Sequence, residues 1–297
     1  MFSNLGKRLL FALWSIPLGW WFVNSSLNLA GWITSDVVIL PIHILIVLLV
    51  MLSCYEYTRM LQIFYHANAF WLSYIWLALQ FYLYFHNEIN LPLQLSLYLL
   101  LVIVALETFV WGKHNKRRRW VRASLLFIGN VFLYMAGYSL LSMYREPFQG
   151  LFKVYTNEML SQLGVVIVLG AIFMCDSAAY FVGSRWGKTH FSSISPKKTI
   201  EGSLAGLITA MLVCSIGWYF LAVPSLPRWP GIVLGVLVGV AAQAGDLLVS
   251  LMKRYFRVKD ASTMIPGHGG ILDRFDSVFF TAPVISLFSW CINRFFG

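Results

Sequence analysis

The residues best suited to chemistry lie between Gln243 and Ser277, in the run Q-A-G-D-L-L-V-S-L-M-K-R-Y-F-R-V-K-D-A-S-T-M-I-P-G-H-G-G-I-L-D-R-F-D-S. Asp246, Ser250 and Lys253 stand at i, i+4 and i+7, on one face of a helix, with the carboxylate about two turns from the amine. Asp273 and Asp276 stand at i and i+3, again on one face. Three carboxylates can therefore converge from two helices. Like charges at close range repel unless a cation lies between them. Magnesium suits such a set, because it takes one or two carboxylates, keeps waters and binds phosphate oxygens. Nothing in the stretch resembles a zinc site: His268 stands alone, with no cysteine or second histidine beside it.

The turn I-P-G-H-G-G-I precedes the last two carboxylates. Pro266 and the glycines allow tight turns and leave backbone amides open to a phosphate. The pattern is not a P-loop. Lys259, Asp260, His268 and Arg274 crowd around it; His268 either orients a phosphate or packs within the turn. Upstream, S-P-K-K-T-I-E-G at 195–202 has Pro196 to stop a helix, and Ser195 or Thr199 to cap a new one with Glu201 in its first turn. Lys197 and Lys198 bring positive charge to that helix start, which makes an anion site. Carboxylates for a metal, lysines and bare amides together describe nucleotidyl or phosphoryl transfer, where positioning and charge neutralisation carry the catalysis.

The frame around these residues is apolar. Of 297 residues, 59% are hydrophobic and 11% charged, with a mean hydropathy of +0.73, against about 25% charged in a soluble domain. This is the composition of an all-α, polytopic integral membrane protein. The net charge of +10 fits cytoplasmic loops and anionic lipid rather than nucleic acid. Cys54, Cys175, Cys214 and Cys291 form no C-x-x-C pair and read as packing residues. With roughly 20 apolar residues per span, about nine transmembrane helices are expected, near 9–24, 36–53, 70–86, 91–111, 121–143, 160–183, 202–223, 229–252 and 277–296. A cytoplasmic N-terminus leaves all but Arg145, Lys153, Arg228 and Arg294 of the 22 basic residues on the inside, as the positive-inside bias requires. Residues 1–160 then form an N-terminal scaffold of spans. Residues 161–297 form a catalytic region with cytoplasmic loops 184–201 and 253–276.

An ionisable residue at membrane depth costs about 2.5–3.5 kcal/mol on insertion scales and is a site candidate by default. Glu107 can pair with Lys113 or Arg117. Glu56 is open between fold and function. Asp176 shares a helical face with Ala179, Tyr180 and Gly183; it is either a buried acid bonded to a neighbouring helix or a polar wall of the site. The basic run at 113–120 reads as a topology anchor or as a collector of anionic lipid.

Two patterns carry a family resemblance. S-x-x-K-R-x-x-x-x-K-D, followed by I-P-G-H-G-G-x-x-D-R-x-D, spans Ser250 to Asp276 and resembles the signature of phosphatidate cytidylyltransferases. D-S-x-A-Y-x-x-G and S-P-K-K-T-x-E-G upstream are similar to the same family. The resemblance covers roughly 170–280 and implies transfer of CMP from CTP to phosphatidate for phospholipid biosynthesis, with magnesium and a homodimer. In that frame Asp246, Asp273 and Asp276 are the expected ligands of magnesium, with room for a second cation. Lys253, Lys259, Asp260, His268 and Arg274 complete the catalytic set. Ser195, Lys197, Lys198, Thr199, Gly269 and Gly270 are expected to contact the nucleotide or its phosphates. The expected location is the bacterial inner (cytoplasmic) membrane, with the site on its cytoplasmic side and no role for nucleic acid. A CTP-dependent enzyme for another lipid phosphate or a polyprenol is the nearest alternative. An ion-coupled lipid transporter is the remote one, disfavoured by the dense cytoplasmic K-D…P-G-H-G-G…D-R-x-D cluster.

Overall fold

A computed structural model describes residues 41–65, 71–86, 99–104, 116–145, 158–190, 195, 198–221, 227–264 and 269–296. The regular structure of the described residues is helical, and an isolated bridge joins His190 and Thr199. Its long helices are α1 (Pro41–Tyr65), α2 (Trp71–His86), α3 (Lys116–Arg145), α4 (Glu158–Trp186), α5 (Ile200–Leu221), α6 (Trp229–Tyr255) and α7 (Leu272–Phe296). Among the described residues, all but α2 include a stretch long and apolar enough to cross a membrane, six in total. The protein is therefore a polytopic, all-helical membrane protein. Helix α2 has 16 residues, short of a full bilayer crossing. The expected span at 9–24 lies outside the described residues, as does most of 91–111.

Two helices begin or end well away from the apolar runs that announced them. Helix α1 continues about twelve residues past the expected end at 53, through Glu56 and Arg59. Helix α7 starts at Leu272 rather than 277, because its first amides find acceptors in a polar stretch, as described below.

The chain divides into two compact units. The first comprises Met1–Tyr138 and Phe256–Arg274; the second comprises Ser139–Tyr255 and Phe275–Gly297. In the first unit, Val50, Cys54, Leu61, Leu77, Leu100 and Leu126 are completely buried. Tyr57 on α1 packs its ring against Gly129 of α3 and donates its hydroxyl to the Leu125 carbonyl at 2.5 Å. Thr58 and Tyr74 join α1 to α2 through their hydroxyls. Phe64 and Tyr57 each meet Phe256, edge to face, in the segment that follows α6.

The second unit is built on small residues. On α5, Gly202, Gly206, Ala210, Cys214 and Gly217 are buried, while Leu204, Ile208, Leu212 and Ile216 are exposed. Small residues inward and large apolar ones outward is the pattern of a helix packed on helices within lipid, where close backbone approach replaces a hydrophobic drive. A Cβ on Gly202 would stand 2.5 Å from the Ala179 carbonyl oxygen, and one on Gly206 2.8 Å from that of Cys175, so α4 and α5 touch backbone to backbone. Gln243 of α6 ties the three helices by polar contacts. It donates to the Ser203 carbonyl at 3.0 Å, accepts the Ser203 hydroxyl and reaches Cys175 Sγ at 3.7 Å. All four cysteines are free thiols.

Candidate active site

In the second unit, the crossing of these helices places charge at one end of α4, α5, α6 and α7. Residue Thr199 caps α5: its hydroxyl accepts the Gly202 amide at 3.2 Å, which satisfies one of the open donors of the first turn. Ser195, the other candidate, closes the turn before it, its carbonyl accepting the Lys198 amide at 3.0 Å. Glu201 in the first turn accepts the Thr189 amide and hydroxyl at 3.0–3.3 Å, strapping the preceding loop to the helix. Gly187 lies against Thr199, where any side chain would collide.

That cap delivers Lys198 to Asp246. The Lys198 Nζ stands 2.6 Å from Asp246 Oδ2, and both side chains are about one-third exposed, at 31% and 35%. Asp246 Oδ1 accepts the Ser250 hydroxyl at 3.3 Å, so the i, i+4 face read from the sequence is used. Asp276, 7% exposed, lies close enough to Asp246 and Lys253 to interact through charge. It also accepts the Ser277 amide at 2.7 Å. Asp176 interacts with Asp246 and Lys198 and accepts the Ser277 hydroxyl at 3.3 Å. Asp176 is thus bonded to a neighbouring helix, as one reading had it, but it is exposed rather than buried, and its carboxylate interacts with the charged cluster. Ser277 had no signal in the sequence beyond its place after Asp276. The backbone approach that brings α7 to α6 is set by Gly245, whose Cβ would lie 2.8 Å from Phe280 Cβ and 2.9 Å from the Asp276 carbonyl oxygen.

The first unit holds the glycine turn. Asp273 Oδ2 accepts the Ala261 amide at 2.8 Å and the Gly270 amide at 3.1 Å. The Gly270 amide is therefore used within the loop rather than left bare. Gly269 has a φ of 87°, a left-handed conformation that favours glycine. Asp260 lies beside it. Arg257, at a φ of 59°, turns the chain out of α6. Glu56 on α1, completely buried, accepts the Ser262 hydroxyl at 2.5 Å and the Ile271 and Leu272 amides at 2.9 and 2.8 Å. Lys259, Asp260 and Arg274 are exposed. Lys197, His268 and Pro266 lie outside the described residues.

The expected trio of Asp246, Asp273 and Asp276 is thus divided by the unit boundary. Asp246 and Asp276 come together with Asp176 and Lys198, and Asp273 organises the turn. Among the described residues, no group of three acidic, histidine or cysteine side chains is placed to hold a metal by itself. The acids of the second unit still fit magnesium, which is satisfied by one or two carboxylates with water and phosphate for the rest.

A family model described as the cytidylyltransferase family matches residues 16–292. A phosphatidate cytidylyltransferase of Synechocystis sp. is 45% identical over 128 residues, 42% of this chain and 43% of the relative. One of Bacillus subtilis is 39% identical over 138 residues, covering 44% and 51%. One of Staphylococcus saprophyticus is 30% identical over 203 residues, covering 65% and 76%. The matches to the first two span about half the length of those relatives. The family match, by contrast, runs from before α1 to the last turns of α7 and takes in both the lysine–carboxylate cluster and the Glu56-bound turn, so the chain belongs to the cytidylyltransferase family.

Proposed function

We propose that this protein transfers CMP from CTP to phosphatidate, giving CDP-diacylglycerol and pyrophosphate. The observation that carries the reading is the Lys198–Asp246 pair beside Asp176 and Asp276, in a chain whose relatives are named phosphatidate cytidylyltransferases. A phosphomonoester oxygen of phosphatidate attacks the α-phosphorus of CTP. The new P–O bond forms as the bond to the α,β-bridging oxygen breaks, and pyrophosphate leaves with that electron pair. The attacking phosphate is already ionised near neutral pH, so the chemistry asks for charge neutralisation and alignment rather than a strong base.

Lys198 suits this task. Exchanging Asp246 for a phosphate oxygen keeps its charge paired, and a one-third exposed pair gives up little stability in the exchange. The start of α5, next to Lys198, adds its helix dipole to the attraction of an anion, while the Ile200 and Gly202 amides there are taken by the Thr189 carbonyl and the Thr199 hydroxyl. Asp246 and Asp276 would hold magnesium, which when bound neutralises phosphate charge. Lys253, near Asp276, supplies further positive charge. The same reading puts the site on the cytoplasmic side of a bacterial inner membrane, where the basic residues of the sequence gather and CTP is available. It includes the full set of nine spans, and takes a homodimer from the family resemblance.

The test is turnover of purified protein with CTP labelled in the cytosine ring and a panel of lipid phosphates and polyprenols, with and without magnesium. Label in the lipid product together with pyrophosphate supports the reading. Release of CDP with label left in the aqueous phase overturns it in favour of a CTP-dependent kinase.

A further inference from the structure

Glu56 is completely buried, and its carboxylate accepts three hydrogen bonds. It belongs to α1, yet among the described residues its three hydrogen bonds all go to residues more than two hundred positions away, in the segment 262–272. Its Oε1 accepts the Ser262 hydroxyl and the Ile271 amide; its Oε2 accepts the Leu272 amide. Ile271 and Leu272 open α7, so the carboxylate stands where the first amides of that helix would otherwise lack acceptors, and where the helix dipole favours a negative group. The carboxylate also abuts Gly270, whose Cβ would lie 2.6 Å from Oε2 and 2.9 Å from Oε1. Gly270 does not have a positive φ, in contrast to Gly269. Its lack of a side chain is therefore demanded by Glu56 and not by the backbone.

On the other side of the same turn, Asp273 accepts the Gly270 and Ala261 amides. Two carboxylates from distant parts of the sequence thus clamp four successive residues, Gly270 to Asp273. We infer that Glu56 is a positioning residue for the proposed cytidylyl transfer: it fixes the glycine turn and the first turn of α7, and acts through Asp273 without touching substrate. The inference rests on that functional reading. It adds an N-terminal residue, outside every motif of the resemblance, to the working parts of the enzyme.

The test has two arms on the full-length protein in detergent or nanodiscs. The first is hydrogen exchange, which does not depend on any reaction. In Glu56→Ala, the amides of Ile271 and Leu272 are expected to exchange about tenfold faster or more, with α4 and α5 unchanged, since each has lost its acceptor. Unchanged exchange at these two amides overturns the anchoring role. Faster exchange spread over every helix also overturns it, because it marks Glu56 as a general fold residue.

The second arm is a double-variant cycle on turnover. Glu56→Ala is expected to lower kcat about 100-fold, the scale of a small misplacement in an alignment-limited reaction. Gly270→Ala should lose a similar factor on its own, yet add less than about twofold in the Glu56→Ala background, where the colliding carboxylate is gone. Additive losses overturn the pairing of Glu56 with Gly270. Glu56→Gln keeps one acceptor oxygen and is expected to fall between wild type and Glu56→Ala; a Gln variant no better than Ala contradicts positioning through these hydrogen bonds. A wild type that fails to label lipid defeats the proposed function, and the exchange arm then still decides whether Glu56 anchors the turn.

Discussion

Asp246 and Glu56 are both acids on membrane helices, and they are stabilised in opposite ways. Asp246 is one-third exposed and paired with a lysine side chain; its partner is a mobile cation that can be exchanged for another ligand. Glu56 is completely buried and satisfied by two backbone amides and a hydroxyl, and the amides cannot leave without undoing a turn. A side-chain ion pair at partial exposure contributes about 0–1 kcal/mol. Losing an acceptor for buried amides costs roughly 1–3 kcal/mol for each donor left unsatisfied. The first arrangement suits a group that must meet substrate, and the second suits a group that must hold other groups still.

The largest expected effect breaks the comparison at Asp246. Asp246→Asn removes the charge but keeps the size, and is expected to lower turnover by about 1,000-fold or more if the residue holds magnesium beside the phosphates. Thermal unfolding should barely move, by roughly 2 °C, because the pair it breaks is weak. Loss of activity together with a collapse in stability would move Asp246 into the same class as Glu56. Lys198→Met is the complementary change. A fall of about 100-fold, with wild-type stability, is expected for a residue that neutralises phosphate charge; retained turnover would show that the ion pair is only a topological contact.

Asp273 falls between the two classes, and one substitution sorts it. Both amides it accepts go to the same oxygen, Oδ2, so the single carbonyl oxygen of asparagine can keep both. Asp273→Asn should therefore preserve the turn. If the sequence expectation of a metal ligand holds, turnover falls by about 100-fold or more with the hydrogen exchange of 261–273 unchanged. Near-normal turnover removes Asp273 from the metal set and leaves it as a turn organiser like Glu56.

Local spacing made the Asp246-type features legible. The i, i+4 relation of Asp246 and Ser250 became a hydrogen bond. Of the two caps the sequence offered, Ser195 and Thr199, Thr199 became the cap. Of the face shared by Asp176, Ala179, Tyr180 and Gly183, Ala179 and Gly183 became the backbone contact with Gly202, while Tyr180 is exposed. What spacing could not show was any pairing across long stretches of chain. Glu56 is separated from Leu272 by 216 positions, and hydropathy placed it just past a membrane span with no partner in view. The same blindness hid what starts α7, although the i, i+3 spacing of Asp273 and Asp276 already carried the helix upstream of 277. An apolar window finds the lipid-spanning part at 277 onward, whereas the helix begins at Leu272 because Glu56 supplies an acceptor that no local rule foresees. Lys198 and Asp246 were each singled out, one for phosphate and one for metal; that they meet each other first required the crossing of α5 and α6.

The smallest effect to test is steric, and it asks how firmly the Asp246 cluster is held. Gly245 adjoins Asp246 on α6, and a methyl group there would meet Phe280 Cβ at 2.8 Å and the Asp276 carbonyl oxygen at 2.9 Å. The first neighbour is the root of a side chain and the second is backbone, so neither can swing aside, and α7 must shift by some tenths of an ångström. Overpacking of this kind costs about 1–3 kcal/mol. Gly245→Ala is expected to lower turnover about tenfold through displacement of Asp276 from Asp246, with a melting temperature lower by roughly 2–8 °C. Raising magnesium should recover part of that turnover, since a metal site with spread ligands binds more weakly but still binds. Recovery by magnesium would mark Asp276 as part of the metal set. A loss of stability with no magnesium dependence would instead place Asp276, buried and bonded to the Ser277 amide, with the fold-holding acids that Glu56 exemplifies.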